Sequence, residues 1–432
     1  MKHLLVTMMM VMMATSSFAQ VDKNFYIYIC IGQSNMEGNA PYEQQDMEGV
    51  DSRFQVMAAV DYSGNQSNVH GRPSEVINKE KRTKGQWYTA TPPLCRENTG
   101  LTPVDYFGRT MVQNLPKNVK VGVINVAIGG CKIEAFLKDS IPSYMTTGPD
   151  WLRNTAKNYD SDPYKYVIDL AREAQKVGVI KGILLHQGES NSGEESWSGK
   201  VKKVYNDMLT DLNLKAQDVP LFVGEVVSAD RGGSCGPGMN PIIDKIGETI
   251  PTAYPVSATG CTNAFDHLHF DAAGYRLIGM RYAQAALKTM GIKYEVPAGL
   301  AKVESPLVSN GFGGSSCIFN YVNPNAKSVV LSGDFGEDKP MVKSGLDGVW
   351  TLSQGGLKAG KHTYTFIVDG KAILDPLNAN KSEDGKQSVV DVPEAPQFGG
   401  FGGFGGFGGF GGPRPQGQGG PRPQGAPQGP RQ

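Results

Sequence analysis

The sequence predicts an α/β protein with a three-layer, doubly wound parallel sheet, followed by a small all-β sandwich and a disordered tail. Between residues 20 and 297, apolar runs of strand length alternate with amphipathic helical segments, as in a parallel sheet with crossover helices. Between 303 and 393, short alternating strands are separated by turn signals, which is typical of a β-sandwich. Residues 398–432 consist of Phe-Gly-Gly triplets and a Pro/Gln/Gly/Arg stretch, and they have no aliphatic side chain with which to build a core beyond one Ala.

The length and charge of the chain limit the classes of protein to which it can belong. Its 432 residues correspond to two or three domains of ordinary size. The 42 basic residues balance the 42 acidic residues. Because a nucleic-acid-binding protein needs a basic surface, we expect no nucleic-acid partner. The sequence does not indicate an oligomeric state.

Residues 1–19 have the features of a secretory signal peptide. Lys2 supplies the positive start, and Leu4–Met13 is an apolar run too short to span a bilayer. Small residues then precede a cleavage point at Gln20. No later run is apolar enough to span a membrane, so we expect an exported protein, periplasmic or extracellular. An uncleaved membrane anchor is the alternative.

Six apolar runs predict the strands of the α/β region. The first, Phe25–Ile31, is continuous and ends at Gly32, as expected for a strand buried on both faces. The other five runs are Phe54–Val60, Val121–Val126, Ile180–Leu185, Leu221–Val227 and Ala253–Ser257. Helical periodicity predicts helices over Asp162–Val177, Glu194–Leu214 and Asp271–Met290, the last with Asp271 as its N-cap.

Polar residues and glycines cluster after four of these strands. The clusters are Gly32–Met36, Ala127–Cys131, His186–Ser190 and Asp266–His269. In a doubly wound sheet, ligands bind outside the carboxyl ends of the strands. We therefore expect the four clusters to form one site.

Ser34, Asp266 and His269 are the residue types of a serine nucleophile and its base. Such a nucleophile needs a base within hydrogen-bond reach, usually a histidine that a carboxylate orients. The D-x-x-H spacing places Asp266 and His269 on one turn, with His267 pointing away. The developing oxyanion needs donors as well, and the amide of Ser34 at a helix start is the first of them.

The same residues also have simpler interpretations. Ser34 alone could be a helix N-cap, and Gly129-Gly130 alone could be a turn. His186 is expected to be a buried, hydrogen-bonded histidine, and His70 lies in a polar loop with no strand end nearby. Their joint placement at strand ends, with Asp266 and His269, favours catalysis.

The segments GQSNM, VAIGG, HQGES and DHLHFDAAGY resemble blocks I, II, III and V of the SGNH (GDSL-like) hydrolases. The nearest branch is the carbohydrate esterases, which include acetylxylan esterases and sialate O-acetylesterase-like proteins. The resemblance covers about residues 20–295 and implies the flavodoxin-like fold of that superfamily.

Carried over residue by residue, the resemblance implies a serine esterase that needs no metal and no organic cofactor. Ser34 would be the nucleophile, His269 the general base and Asp266 its orienting partner. Gly130 and Gln187 would complete the oxyanion hole, with Gln187 standing where other branches carry Asn. The implied reaction is a two-step acyl transfer through an acetyl-enzyme.

Four further residues in or next to these motifs are expected in the substrate pocket: Gln33, Asn35, Leu185 and Glu189. The expected partner is an acetylated polysaccharide or oligosaccharide, with xylan acetyl groups first. Sialic acid acetyl groups, other acetylated plant polysaccharides and feruloyl esters are alternatives. The non-enzymatic alternative is a carbohydrate-binding or adhesion protein with a degenerate esterase domain. The complete Ser, Asp and His set favours the enzyme.

The segment 303–393 resembles the glycogen-binding, isoamylase N-terminal type of immunoglobulin-like module. The matching residues are Ser332–Phe335, Asp347–Trp350, Tyr364–Gly370 and Asp375-Pro376. Sugar-binding members usually carry a Trp soon after the first of these motifs, where this chain has no aromatic residue. Trp350 is expected in the core. The module could therefore pack against the catalytic domain and wall the substrate cleft instead of binding glycan.

The six cysteines are too sparse for a disulfide scaffold, and their spacing fits no zinc motif. Export would permit disulfides. Cys235 and Cys261 lie in loop-like, Gly-containing sequence and are expected to pair, and Cys95 with Cys131 is a second candidate pair. Cys30 lies in an apolar strand and is expected to be a buried thiol.

Overall fold

The computed structural model describes residues 21–297, 299–300, 303–311, 314–343 and 348–394. The signal peptide expected at 1–19, the tail expected at 398–432 and the motif residue Asp347 lie outside the described residues. None of the described helices is both long enough and apolar enough to cross a membrane.

Seven strands form one sheet in the first part of the chain. They are β1 (Phe25–Gly32), β2 (Phe54–Met57), β3 (Trp87–Thr89), β4 (Lys120–Ala127), β5 (Val179–His186), β6 (Leu221–Gly224) and β7 (Ala253–Val256). Their order is β3-β2-β4-β1-β5-β6-β7. All neighbours run parallel except β2 and β3, so the sheet is mixed. The antiparallel edge strand β3 is absent from the sequence prediction, because three residues are too few to show an alternation.

Strand β1 lies at the centre of the sheet, and its side chains alternate between two hydrophobic clusters. Ile27 and Ile29 point into one cluster, and Tyr28 and Cys30 into the other. All four are fully buried. This explains the continuous apolar run, because a strand covered on both faces has no side that needs polar residues.

Ten α-helices connect and cover the strands. They are α1 (Ser34–Glu37), α2 (Gln44–Met47), α3 (Pro103–Asn114), α4 (Ile141–Thr147), α5 (Asp150–Ala156), α6 (Pro163–Gln175), α7 (Trp197–Asp211), α8 (Gly236–Asp244), α9 (Ile246–Thr249) and α10 (Ala272–Thr289), all within the described ranges. Helices α6 and α7 pack on the cluster that contains Ile27, and α3 and α10 pack on the cluster that contains Tyr28. The predicted cap is confirmed, since the Asp271 carboxylate accepts from the Gly274 amide at 2.8 Å.

Three of the predicted strands end earlier than expected, β7 by one residue and β6 and β2 by three. Strand β6 ends at Gly224 instead of Val227. The side chain of Asn240 takes over the backbone groups there, because its Oδ1 accepts from the Val226 amide at 3.0 Å and its Nδ2 donates to the Val226 carbonyl at 3.1 Å. The ladder therefore stops where a side chain from α8 replaces the neighbouring strand. Strand β2 likewise ends at Met57 instead of Val60.

The C-terminal region is all-β and antiparallel. Its strands are β8 (Leu307–Gly311), β9 (Gly314–Val322), β10 (Val329–Gly333), β11 (Lys339–Pro340), β12 (Val342–Lys343), β13 (Val349–Leu357), β14 (Gly360–Val368), β15 (Lys371–Ile373) and β16 (Ser388–Val392). One sheet has the order β11-β10-β14-β15 with β16 beside β14, and the other has the order β12-β13-β9-β8. Trp350 lies in the cluster of apolar side chains from both sheets, as predicted, together with Phe319 and Tyr364. The immunoglobulin-like type of this region stays a prediction.

The all-β region packs against the α/β part at the 3-10 helix Ala229–Arg231. The buried Asn320 of β9 donates from Nδ2 to the carbonyl of Asp230 at 3.0 Å. Arg231 forms a 3.4 Å ion pair with Glu304. The loop continues to Gly232, which lies between the two regions.

All six cysteines are free thiols, so the expected Cys235–Cys261 pair is wrong. Each sulfur has other surroundings: Cys235 Sγ contacts the carbonyl of Glu189 at 3.7 Å, whereas Cys261 is fully buried with Sγ 3.5 Å from the guanidinium of Arg281. The second candidate pair, Cys95 with Cys131, is also unbonded. Cys30 is fully buried, as predicted.

Candidate active site

The loops after β1, β4 and β5 converge at one edge of the sheet. A Cβ atom at Gly32 would stand 2.1 Å from the carbonyl oxygen of His186, so only glycine permits this approach of β1 to β5. The backbone then turns directly into α1, which begins at Ser34. The close packing of the two strand ends brings Ser34 beside the loop that follows His186.

Ser34, His269 and Asp266 form a continuous hydrogen-bonded chain. The Ser34 Oγ lies 2.8 Å from His269 Nε2, and His269 Nδ1 lies 2.8 Å from Asp266 Oδ2. A carboxylate can only accept, so Nδ1 carries the proton and Nε2 accepts from the serine hydroxyl. The D-x-x-H spacing thus produces the geometry expected from the sequence.

Backbone amides hold the Asp266 carboxylate in place. Its Oδ1 accepts from the amides of Leu268 and His269, both at 3.0 Å. Partial burial alone would raise the pKa of Asp266, but the hydrogen bonds from the His269 ring and from these two amides outweigh burial and hold the pKa well below its ordinary value. The carboxylate is therefore ionised and able to stabilise an imidazolium at His269.

The backbone amides of Ser34 and Gly130 have no hydrogen-bond acceptor within the described residues. Ser34 is the first residue of α1, where the helix offers its amide no carbonyl. Gly130 has a φ of 70°, and its carbonyl accepts from Ser190 Oγ at 2.9 Å. The adjacent Gly129 is so close that a Cβ there would stand 3.7 Å from the Cβ of Ser34.

Gln187 does not join these amides. Its side chain is fully buried, and its Nε2 is within 3.3 Å of three acceptors: Asn191 Oδ1, Gln33 Oε1 and the Cys131 carbonyl. The two amide protons are therefore already used. Its Oε1 accepts from Trp197 Nε1 at 2.5 Å. The structure gives Gln187 the role of fixing Gln33 and the strand-end loops, in place of the oxyanion contact expected from the sequence.

Gln33 and Asn35, expected in the pocket, connect the loops of the site from within. The Oε1 of Gln33 is also close to the amides of Gly188, at 3.3 Å, and Ser190, at 3.4 Å. Asn35 is fully buried, and its Nδ2 donates to Glu189 Oε1 at 2.5 Å and to the Leu268 carbonyl at 3.0 Å. Both residues thus orient the segments that carry the triad.

Asn35 also accepts from a residue that the sequence reasoning did not single out. Its Oδ1 takes hydrogen bonds from the Tyr275 hydroxyl at 2.8 Å and from the Phe270 amide at 3.2 Å. Tyr275 closes the DHLHFDAAGY segment, so its place in that motif is the signal that pointed to it. Asn35 therefore links α1 to both sides of the loop that carries His269.

Of the other two residues expected in the pocket, Glu189 lies beside the site, whereas the side chain of Leu185 lies in the hydrophobic core. Glu189 is buried beside the site, and burial outweighs the hydrogen bond from Asn35, so its pKa is raised. Leu185 is 1% exposed and belongs to the hydrophobic core on the side of α7. Its side chain is therefore part of the core instead of the pocket.

The remaining histidines of the α/β part lie outside the proton path. His186 is fully buried, with Nδ1 3.1 Å from the Tyr282 hydroxyl, and burial lowers its pKa to about 3. His267 lies 3.2 Å from Asn263 through Nδ1. His70, dismissed on sequence, lies beside the site, since its Nε2 contacts the Gly38 carbonyl at 2.8 Å. Its imidazole remains outside the hydrogen-bonded chain of the triad.

An ion pair behind the nucleophile also escaped the sequence reasoning. Arg96 pairs with Glu37 of α1 and donates to the carbonyl of Ala127 at 2.7 Å. It therefore ties α1 to the end of β4. Among the described residues, no group of three or more His, Cys, Asp or Glu side chains could hold a metal ion.

The chain is similar to a known family over the part that carries this site. Residues 24–288 match the family described as carbohydrate esterase, sialic acid-specific acetylesterase. Among solved structures, an Arabidopsis thaliana protein is 19% identical and matches 61% of this chain and 98% of its own, with a TM-score of 0.44. NanS is 15% identical and matches 63% of this chain and 99% of its own, also with a TM-score of 0.44.

Proposed function

The chain belongs to the sialic acid-specific acetylesterase family of carbohydrate esterases, and from this premise we propose that Ser34, His269 and Asp266 carry out its reaction. As a member it is a carboxylic ester hydrolase that acts on carbohydrate acetyl groups. The observation that carries the proposal is the chain of two 2.8 Å contacts from Ser34 Oγ through the His269 ring to Asp266.

Acylation begins when Ser34 Oγ attacks the acetyl carbonyl carbon and His269 Nε2 takes the hydroxyl proton. Negative charge develops on the carbonyl oxygen, and the amides of Ser34 and Gly130 donate to it. The tetrahedral intermediate collapses when the bond to the sugar oxygen breaks, and His269 returns its proton to that oxygen. The products of this half-reaction are the free sugar hydroxyl and an acetyl ester on Ser34.

Deacylation repeats these steps with water. His269 Nε2 takes a proton from water as its oxygen attacks the acetyl carbon, and the same two amides stabilise the oxyanion. The bond to Ser34 Oγ then breaks, His269 protonates Ser34, and acetate leaves. Asp266 remains ionised throughout and stabilises the imidazolium in both halves.

The groove beside the His269 loop favours an uncharged sugar. It measures about 520 Å³, and its lining includes the residues Glu43, Glu75, Asp271 and Arg72. Arg72 already donates to Asn39 Oδ1 at 2.7 Å. Glu43 is paired with Arg276 at 2.9 Å. Glu75 and Asp271 against Arg72 therefore leave a small excess of negative charge for an anionic substrate to meet. We propose O-acetyl groups of neutral polysaccharide, with acetylxylan first, as the substrate.

Acetylated sialic acid is the second candidate. The description of the matching family favours it, and Arg72 is the cation that could pair with its carboxylate. Acetate release from a panel of acetylated xylan, mannan, pectin and sialic acids, with a feruloyl ester added, separates the candidates. A preference for sialic acid would overturn the choice of a neutral sugar.

The catalytic assignment is tested by Ser34→Ala. We expect loss of p-nitrophenol release from p-nitrophenyl acetate and of acetate release from the panel, because no nucleophile remains. Circular dichroism of the variant checks that it is folded. Retained activity in a folded, purified variant would exclude Ser34 as the nucleophile.

We also propose that the protein is exported to the periplasm or the cell exterior, on the basis of the segment 1–19. Expression of the full chain in bacteria should yield a mature protein that begins at Gln20, as read by mass spectrometry. A full-length protein confined to the cytoplasm would contradict export.

A further inference from the structure

Trp151 differs from the other three tryptophans of the chain. Trp197 and Trp350 are buried, and Trp87 packs edge-on against Phe25 with ring centroids 4.8 Å apart. Trp151, on α5, is 50% exposed and packs against no other ring among the described residues. A large aromatic face left open to solvent needs a reason, because burying it is among the most favourable contacts a side chain can make.

The indole of Trp151 borders the turn that supplies an oxyanion donor. A Cβ atom at Gly130 would stand 2.8 Å from Cη2 of Trp151 and 3.3 Å from its Cζ3. The benzo edge of the indole therefore rests on Gly130. This contact and the φ of 70° together favour glycine at position 130, because a side chain there would be strained and would displace the indole.

The same turn connects Trp151 to the nucleophile. Gly129 lies against Ser34, where a Cβ would be 3.7 Å from the serine Cβ. The order of contacts is thus Ser34, Gly129, Gly130, Trp151. A sugar whose acetyl group is held at Ser34 would extend over a surface that includes the open part of this indole.

We propose that Trp151 is a stacking platform for a pyranose ring of the acetylated glycan, and so a determinant of specificity for sugar esters over simple acetate esters. This inference rests on the proposed function. The C–H groups on one face of a pyranose carry partial positive charge, and they meet the negative face of the indole. Because stacking uses no charge on the sugar, it suits a neutral polysaccharide.

The test compares a sugar ester with an ester that has no ring. Wild type, Trp151→Ala, Trp151→Leu and Trp151→Phe are assayed for acetate release from acetylated xylo-oligosaccharide and from ethyl acetate. For the oligosaccharide we expect kcat/KM to fall about tenfold in the Ala and Leu variants, mainly through KM, and about threefold or less in the Phe variant. For ethyl acetate all variants should stay within about twofold of wild type.

Two controls distinguish stacking from mere support of the Gly129-Gly130 turn. Trp151→Leu keeps an apolar cover on Gly130 but removes the aromatic face. Tyr254→Ala removes another exposed aromatic residue, which is 41% exposed and stacks on Phe222 in the sheet, and should leave both substrates unaffected. An equal loss on ethyl acetate, or an unchanged kcat/KM for the oligosaccharide, would overturn the proposal.

Calorimetry tests the platform without turnover. The oligosaccharide is titrated into Ser34→Ala and into Ser34→Ala combined with Trp151→Ala, with about tenfold weaker binding expected for the second. An unchanged Kd rejects the platform. If wild type hydrolyses ethyl acetate but no acetylated glycan, the proposed function fails, and the two Kd values still decide on Trp151.

Discussion

The α/β part and the all-β region each contain a His–Asp pair, and the two pairs are nearly identical in length. His269 Nδ1 lies 2.8 Å from Asp266, and His362 Nδ1 lies 2.9 Å from Asp334. The second ring nitrogen makes the difference. His269 Nε2 faces the hydroxyl of Ser34 at 2.8 Å, whereas His362 Nε2 donates to the Lys358 carbonyl at 2.8 Å. A histidine whose second nitrogen is held by a carbonyl cannot take a proton from a substrate or nucleophile.

The buried polar residues of the two regions also differ in what they connect. In the α/β part, the buried Asn35 connects strand-end loops that carry Ser34 and His269. In the all-β region, the buried Asp375 accepts from Ser305 Oγ at 2.6 Å and from the Tyr364 hydroxyl at 2.8 Å, so it fastens strands of its own fold. Similar polar groups therefore surround the proposed catalytic residues in one region and hold the fold together in the other.

The largest expected effect separates the two histidines. His269→Ala should lower kcat for p-nitrophenyl acetate by at least about 10³-fold, because the serine loses its base. His362→Ala is the matched control and should leave kcat/KM within about twofold of wild type. Steady-state rates of both purified variants check this. A comparable loss in His362→Ala would mean that the all-β region takes part in the reaction.

A smaller effect separates the two buried polar residues. Asn35→Ala should lower kcat by about 10²-fold, because the His269 loop loses its attachment to α1 and the base is misplaced. Asp375→Ala should leave kcat unchanged and lower the free energy of unfolding by about 1–3 kcal/mol, since Tyr364 and Ser305 lose their acceptor. Kinetics and urea denaturation of the two variants measure both quantities. A fall in kcat for Asp375→Ala as large as for Asn35→Ala would remove the distinction.

The α/β part and the all-β region also touch near the loop that carries His269. A Cβ atom at Gly232 would stand 2.9 Å from Cδ1 of Ile318 and 3.1 Å from Nδ1 of His267. Ile318 belongs to β9, and His267 precedes His269 by two residues. Gly232 therefore lies between the all-β region and the loop that carries His269, even though none of the polar motifs of the all-β region faces Ser34 in the described residues.

The hydrogen-bonded arrangement of Ser34, His269 and Asp266 could be predicted because its geometry is local or follows from the sheet. The D-x-x-H spacing sets the distance between Asp266 and His269, and parallel strands bring their carboxyl ends, and hence Ser34, to one edge. Buried apolar runs likewise predicted the central strands. These features depend on residues that are close in sequence or related by a regular element.

The roles that sequence reasoning misassigned or missed depend on distant partners. Whether Gln187 faces the substrate is decided by Trp197 and Asn191, which occupy its oxygen and its protons. Leu185 could face either side of the sheet, and only the packing of α7 settles which. The exposure of Trp151 has no local signal, because it depends on where α5 lies relative to the Gly129-Gly130 turn.

The smallest expected effect is the pH dependence of the stability that the His362–Asp334 pair gives to the all-β region. The Lys358 carbonyl and the Asp334 carboxylate together raise the pKa of His362 above its ordinary value, despite partial burial. A raised pKa means that the pair stabilises the fold fully below about pH 6.5, the ordinary histidine value, and that this stabilisation disappears as pH rises through the folded pKa. The Tm of wild type should therefore exceed that of His362→Gln by a few degrees at about pH 5.5, and the difference should shrink toward zero near pH 9. A difference that is constant with pH, or that grows as pH rises, would show that His362 stabilises the fold by packing and not by its charge.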